Sequence, residues 1–305
     1  MEGHKRNLQN TTMKRIIGLT IALLTFAISL SMGKLPPLTN IEPADKFDRF
    51  YDLLILGVDR RPHQKRGRSD VIMIVHCEPG RITLFSIPRD TRVRVRKRMD
   101  KINHAFAYGS AKLAKSTIER FLKFKVDNYI AVDFETFLKT IEVIKKISND
   151  GRFIGAENFL ASGENLLKWL RFRGLPTGDR RRCQRHQLFI KRVFEYTQDM
   201  YLNQPLMYGQ CMRAGLKIVD TDLTYEHAVQ LYEKHKNIDL ERDIERYVLP
   251  GYGKCHYKKD EITGEKKISG WYYYPKYNLP LTAYIKWFRK YDMQLNYLET
   301  DTLRK

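Results

Sequence analysis

Asp70–Arg89, DVIMIVHCEPGRITLFSIPR, decides the fold. Two runs of β-branched and apolar residues flank Glu78-Pro79-Gly80-Arg81, a pattern that predicts two strands joined by a turn. That register sets Cys77 opposite Ile82 and, at the open end, Asp70 opposite Arg89. Opposed side chains in a strand pair lie close enough to interact directly. Upstream, FYDLLILGV (50–58) reads as another strand that ends at Asp59, one polar loop (RRPHQKRGRS) before Asp70.

Further along, the apolar spacing changes period. HAFAYGSAKLAKSTIERFLKF (104–124) predicts a helix, VDNYIAVD (126–133) a strand, and FETFLKTIEVIKKI (134–147) a helix with Asp133 as its N-cap. A helix over 157–170 leads into WLRFRGLPTGDRRRCQRHQ (169–187), and Arg182–Leu202 reads as a long amphipathic helix. YEHAVQLYEKHK (225–236) is helical, and GWYYYPKYNLP (270–280) strand and loop. Strands alternating with helices after the opening hairpin place the chain in the α/β class. The expected architecture is a mixed central β-sheet with helices on both faces, one domain over 50–305.

The 305 residues carry a formal net charge of +20, which predicts attraction to anions: nucleic acid, an anionic membrane face or a phosphorylated substrate. Ile16–Met32, IIGLTIALLTFAISLSM, has no charge and reaches the roughly 17 residues needed to cross a bilayer. Lys5, Arg6, Lys14 and Arg15 precede it, so residues 1–15 are expected in the cytoplasm and 16–33 as a single-pass transmembrane anchor. A cleaved signal peptide is the competing reading. Residues 34–49, KLPPLTNIEPADKFDR, read as a linker, and 50–305 as a domain outside the cytoplasmic membrane. An external domain argues against nucleic acid as the partner. Cys77, Cys183, Cys211 and Cys255 are spaced too widely for a zinc motif; they form up to two disulfides or remain buried thiols.

Several charged residues converge on this reading. Asp59, Asp70 and Arg89 gather at one end of the sheet. Two carboxylates there suit a hard divalent cation such as Mg²⁺, and equally an ordinary ion-pair cluster at a sheet edge. Asp179 can cap the helix beginning near Arg180, leaving a positive helix end at Arg182. Arg182 and His186 share one helix face with the apolar Phe189 and Val193, so they point along the protein body, whereas Arg180 and Arg181 face solvent. Arg171 and Arg173 flank Phe172 and fall on one side of an extended segment. Arginines beside a helix N-terminus describe either a pyrophosphate cradle or a solvated basic face.

Four ordered motifs, LLILGVDRR, GRSDVIMIV, LFSIPRDT and KINHAFAYGS, together with the later RFR and GDRRRCQRHQ block, resemble the LytR-CpsA-Psr family of bacterial cell-envelope enzymes. The resemblance covers about 52–192, with a weaker echo at Val248-Leu249-Pro250-Gly251. It implies a Mg²⁺-assisted phosphotransferase that moves a glycopolymer, such as a teichoic acid or a capsular polysaccharide, from a polyprenyl-pyrophosphate carrier to peptidoglycan through a phosphodiester. Carried over, Asp59 and Asp70 hold the metal. Arg68, Arg89, Lys101, Arg171, Arg173, Arg182 and His186 bind the pyrophosphate. Arg89, Asp179 and Arg182 form the catalytic set, Asp179 as base or as organiser of the arginines. The implied apolar pocket for the lipid tail lies among helices. No Ser or Cys nucleophile is required.

Two departures stand out. Where the family pattern runs near GDFGRxxRQQ, this chain has Arg180-Arg181 for Phe-Gly and His186 for the first Gln. The span from Val132-Asp133-Phe134 to Arg171 is also shorter than usual. The alternatives to a transferase are a non-catalytic binder of polyprenyl-linked envelope polymers and, more weakly, a DNA-binding transcriptional attenuator.

Overall fold

The computed structural model describes residues 50–60, 67–148, 163–172, 178–259 and 264–291. The expected cytoplasmic segment (1–15), anchor (16–33) and linker (34–49) lie outside the described residues. Among those described, no helix is long and apolar enough to cross a membrane.

The opening hairpin forms in the predicted register. β1 (Tyr51–Asp59), β2 (Arg68–Glu78) and β3 (Arg81–Ser86) are consecutive antiparallel strands, and β2 pairs with β3 from Met73↔Ser86 to Glu78↔Arg81. Pro79 and Gly80 make the turn, with Gly80 at φ 71°, a left-handed value that glycine reaches without a Cβ clash. A small hairpin follows, β4 (Arg92–Val95) with β5 (Arg98–Lys101), and then helix α1 (His104–Leu122). β6 (Asn128–Asp133) lies parallel to β1 and runs into α2 (Phe134–Ser148); Asp133 Oδ1 caps that helix by accepting from Thr136 N–H at 2.9 Å.

After α3 (Gly163–Arg171) come α4 (Gly178–Asn203), α5 (Pro205–Ile218), the two-residue β7 (Asp220–Thr221), α6 (Tyr225–His235) and β8 (Ile244–Val248). β8 is parallel to β3, and the main sheet runs β7-β6-β1-β2-β3-β8. The chain continues into β9 (Gly251–Lys259), β10 (Lys266–Pro275) and α7 (Leu281–Lys290). The class is therefore α/β with a mixed central sheet and helices on both faces, as expected.

The β4–β5 hairpin, α5 and α7 were not anticipated. The turn of the small hairpin places Arg96 at φ 54° and carries no Gly or Asn signal. Gln204, before α5, makes no side-chain cap bond, and neither does Pro280 before α7.

The two sheet faces differ. Leu54, Leu56 and Val58 of β1 point to the side where Ile72, Ile74, Phe85 and residues of α1 and α7 form a closed core. Leu53, Ile55 and Gly57 point to the other side, under α2, α4, α5 and α6, and are only half-buried because that side is hollow.

Two polar ties hold the layers. Gln187 of α4, fully buried, directs its Nε2 at Leu84 O (3.1 Å), Ser86 Oγ (2.9 Å) and Tyr247 O (2.7 Å), which fixes α4 to β3 and β8. Glu245 of β8 is 4% exposed and accepts from Arg81 Nη1 (3.0 Å), Thr83 Oγ1 (2.9 Å) and Arg289 Nε (2.8 Å), fixing α7 to the sheet edge.

Inside α1 the helix breaks at Gly109-Ser110, and Ser110 adopts φ 57°, ψ −162°. That region is essentially reserved for glycine and strains other residues by about 1–3 kcal/mol. Ser110→Gly is therefore expected to raise the melting temperature by about 2–4 °C per kcal/mol of strain relieved. Thermal unfolding followed by circular dichroism checks this; an unchanged or lower midpoint would show that the break is not strained.

Candidate active site

The site grows out of an irregularity in the β1–β2 ladder. Pairing runs Leu56↔Ile72 and Gly57↔Val71, then shifts to Val58↔Ser69, so Asp70 is the extra residue of a β-bulge. A bulge re-aims the side chain it carries. Asp70 turns to Arg89, whose Nη1 donates to Oδ2, and to Asn103, whose Nδ2 donates to Oδ1 at 3.1 Å. The Asp70–Arg89 contact predicted by the hairpin is thus present. Asn103 N–H also donates to the Arg89 carbonyl at 3.2 Å, which ties the start of α1 to the arginine.

Charge then alternates outward. Arg89 Nε lies 3.5 Å from Asp90 Oδ2, and Asp90 Oδ1 is 2.7 Å from Lys101 Nζ. Burial works against the Arg89 charge, but Asp70, Asp90 and Asp179 outweigh it and hold the guanidinium above its ordinary pKa. Arg68 is exposed at the start of β2, across the ladder from Asp59. Asp59 itself ends β1 with Oδ1 buried and unpartnered among the described residues. The backbone at Gly67 passes close: a Cβ there would sit 2.7 Å from Val58 Cγ1 and 3.0 Å from the Asp59 carbonyl oxygen, so a side chain would push the strand end away.

On α4, Asp179 Oδ1 lies 3.1 Å from Arg182 Nη2. The helix begins at Gly178, so Asp179 occupies the first turn rather than the cap, and it braces Arg182. Arg182 is 5% exposed with its Nε unpartnered among the described residues, a cation held inside the protein with donor capacity to spare. Arg180 is exposed as expected, while Arg181 is half-buried.

His186 is buried, and its Nε2 lies 3.2 Å from the Leu170 carbonyl. Burial, with Arg182 second, drives its pKa down to about 3, so the ring is neutral. A neutral ring bonded to a carbonyl carries its proton on that nitrogen. Its donor therefore joins α4 to the end of α3. Arg185 is also buried, donating through Nη2 to the Phe172 carbonyl, and burial together with Arg182 and Arg181 lowers its pKa.

Arg171 does not lie on an extended segment. It ends α3, exposed, with its guanidinium 4.4 Å from the Phe134 ring centre. The alternation Arg-Phe-Arg is too short to define a strand, and the helix simply extends through its first residue. Arg173 and the rest of the Gly-Leu-Pro-Thr turn fall outside the described residues. All four cysteines are free; Cys77, Cys183 and Cys211 are buried, and burial pushes the Cys183 thiol up to about 12.

Beside this cluster opens a cavity of about 700 Å³ between the sheet and α2, α4, α5 and α6. Its walls are apolar, with Leu53, Ile55, Met73, Ile141, Phe189 and Leu216 among them. Asp59, Asp70, Asp133, Arg171, Arg182 and His186 line it as well. Such a volume is typical of a small-molecule site. Sequence reasoning missed Asp90, Asn103 and Arg185. The first two sit inside the quoted IPRD and KIN runs, and that adjacency was the available signal.

The model of the LytR_cpsA_psr family matches residues 37–277, and the chain belongs to that family. A relative in Halalkalibacterium halodurans, the polyisoprenyl-teichoic acid–peptidoglycan teichoic acid transferase TagU, is 28% identical over 264 residues, covering 77% of this chain and 86% of its own. B. subtilis TagV shares the fold with TM-score 0.59 at 20% identity, covering 80% of this chain and 96% of that one. A structure of TagT bound to LIIa-WTA aligns with TM-score 0.55 at 21% identity, covering 82% and 92%.

His186 makes the site acid-sensitive. Its folded pKa lies below the ordinary histidine value, so the unfolded chain binds the extra proton and stability falls as pH drops from about 6.5 towards 3. His186→Gln keeps a donor for the Leu170 carbonyl and removes the titration. Between pH 7 and pH 4.5 the variant is expected to lose about 2–3 kcal/mol less stability than the parent, measured by urea unfolding. Equal losses would show that the ring does not control acid lability.

Proposed function

We propose that the protein transfers a glycopolymer from a polyprenyl-pyrophosphate carrier to peptidoglycan as a phosphodiester. One observation carries the reading: the apolar cavity of about 700 Å³ shares its lining with three carboxylates, Asp59, Asp70 and Asp133, and with the buried Arg182. A hydrocarbon tail ending in a multiply charged head group needs both environments side by side. The names of the curated relatives support the same cargo and acceptor.

In this reading an acceptor hydroxyl attacks the phosphorus that bears the sugar. The bond from that phosphorus to the bridging oxygen breaks, polyprenyl phosphate leaves, and the hydroxyl proton passes to solvent. Phosphoryl transfer is governed by positioning and charge neutralisation. Arg182 and Arg89 supply fixed positive charge at the pyrophosphate, Lys101 and Arg68 extend it, Arg171 approaches from the end of α3, and Arg173 would add one more charge. Asp179 acts as organiser of Arg182 and Arg89. Asn103 is a positioning residue for Asp70.

The donor set fits Mg²⁺. Asp59 offers a buried oxygen that accepts no hydrogen bond among the described residues. Among the described residues no group of three His, Cys, Asp or Glu side chains gathers there, and Mg²⁺ commonly takes one or two carboxylates together with water and phosphate oxygens. Asp59 and Asp70 would hold the ion, whose chemical contribution is to neutralise phosphate charge. The anchor at 16–33 would keep the domain outside the cytoplasmic membrane, beside a lipid-linked substrate. Protease treatment of intact cells tests that topology, and protection of the domain would refute it.

The activity test uses the full chain in detergent with a short-chain polyprenyl pyrophosphate bearing a saccharide, and follows release of polyprenyl phosphate with and without Mg²⁺. Asp70→Ala and Arg182→Ala are each expected to lower turnover about 10²–10³-fold, the usual cost of removing a charge-stabilising group. Turnover that survives in both variants would sink the assignment.

A further inference from the structure

β9 and β10 form a two-stranded ribbon apart from the main sheet. Its root is anchored through Tyr273. That N–H donates to the Asp90 carbonyl at 2.9 Å, its hydroxyl to the Leu249 carbonyl at 2.7 Å, and the residue bridges to Thr91. Tyr273 packs against the core, so its neighbours Tyr272 and Tyr274 project from the opposite face.

On that face the register places Tyr252 against Tyr274 and Lys254 against Tyr272. The rings of Tyr252 and Tyr274 stack at 5.7 Å and 14°. His256 stacks on Tyr274 at 5.9 Å and 13°, hydrogen-bonds its hydroxyl, and tilts against Tyr272 at 4.8 Å. Two cations flank the rings: Lys101 Nζ lies 5.7 Å from the Tyr272 centre and the Arg92 guanidinium 5.8 Å from that of Tyr274. Tyr252 is 58% exposed.

Lys101 belongs to both groups, since it also pairs with Asp90 in the arginine cluster. Contacts therefore run from the cavity through Asp70, Arg89, Asp90 and Lys101 to Tyr272. A molecule built as hydrocarbon, pyrophosphate and sugar would meet apolar walls, cations and aromatic rings in that order.

We propose that the Tyr252–Tyr272–Tyr274–His256 face of the β9–β10 ribbon binds pyranose rings of a polysaccharide, starting beside the pyrophosphate cluster at Lys101. The proposal rests on the transferase reading for which polysaccharide is present. A pyranose has a C–H face with partial positive charge, which lies on the negative face of an aromatic ring, and an edge of hydroxyls. His256, Lys254, Lys101 and the Tyr272 hydroxyl supply polar partners for that edge. A surface built for lipid would not need them.

The test is calorimetric, on the full chain in detergent, with four probes. They are a bare short-chain polyprenyl pyrophosphate, the same carrier bearing an N-acetylhexosamine disaccharide, muramidase-released peptidoglycan glycan fragments, and phospholipid vesicles. Tyr252→Ala and Tyr272→Ala are expected to weaken a saccharide ligand up to about tenfold, the scale of one lost aromatic contact, and to leave the bare carrier unaffected. Tyr252→Phe keeps the ring and should bind as the parent does. Loss confined to the sugar-bearing carrier assigns the face to the donor, and loss confined to peptidoglycan fragments assigns it to the acceptor. Saccharide affinities unchanged in both alanine variants, or a loss seen with vesicles alone, would overturn the proposal. If the parent bound saccharides but not the bare carrier, the transferase reading would fail while the ribbon assignment stood.

Discussion

The contact between Asp70 and Arg89 is the constraint on which the site depends. It exists because β2 carries one residue too many for its ladder with β1, and the surplus carboxylate must point away from regular pairing. Arg89 and Asn103 hold its two oxygens, and Asn103 in turn fixes the backbone at Arg89. Both partners of the ion pair are 19% exposed, so each depends on the other for solvation more than a surface pair would. From there the order of charge is set: Asp90 beside Arg89, Lys101 beside Asp90, and, on α4, Asp179 beside Arg182. Local geometry at one β-bulge thus orders a whole electrostatic centre.

The second constraint is the unequal filling of the sheet's two sides. β1 and β2 are apolar on both faces, which normally means helices packed close above and below. On the α1 and α7 side they are. On the other side α4 is held at the sheet edge by the Gln187 amide, and the helices span a gap instead of filling it. An unfilled apolar volume of this size forgoes packing contacts, a cost of the kind seen when core side chains are deleted. A ligand whose tail restores those contacts would stabilise the fold as it binds.

Much of this was legible in the chain, for identifiable reasons. The hairpin register follows from a period of two and a Pro-Gly turn, so the Asp70–Arg89 contact could be read before any coordinates. Asp133 caps its helix because a short acceptor precedes a helical pattern. The burial of Arg182 and His186 followed from their sharing a helix face with Phe189. What was hidden is equally specific. Periodicity reports which residues are apolar, and the same pattern describes Leu53 against a packed core or against a hollow. Arg171 ends a helix, because the Arg-Phe-Arg alternation is too short for its spacing to specify a strand, and there it stacks on Phe134. The neutral state of His186 comes from burial and from a carbonyl on another helix. The Arg96 turn uses a conformation that its sequence does not advertise.

The tie at Glu245 has a consequence for how the chain acquires its structure. Its partners arrive at widely separated times: Arg81 lies 164 residues before it, and Arg289 reaches back 211 residues to Glu78. β8, buried along its whole length, can pair with β3 only after most of the molecule has been synthesised. Until then β3 has an open edge, and the Phe85 side of the core lacks Tyr284 and Phe288. Closing contacts across such long separations makes folding slow and leaves an unpaired strand available to neighbours. β8 and α7 act as a latch, and the sheet stays unfinished until β8 engages.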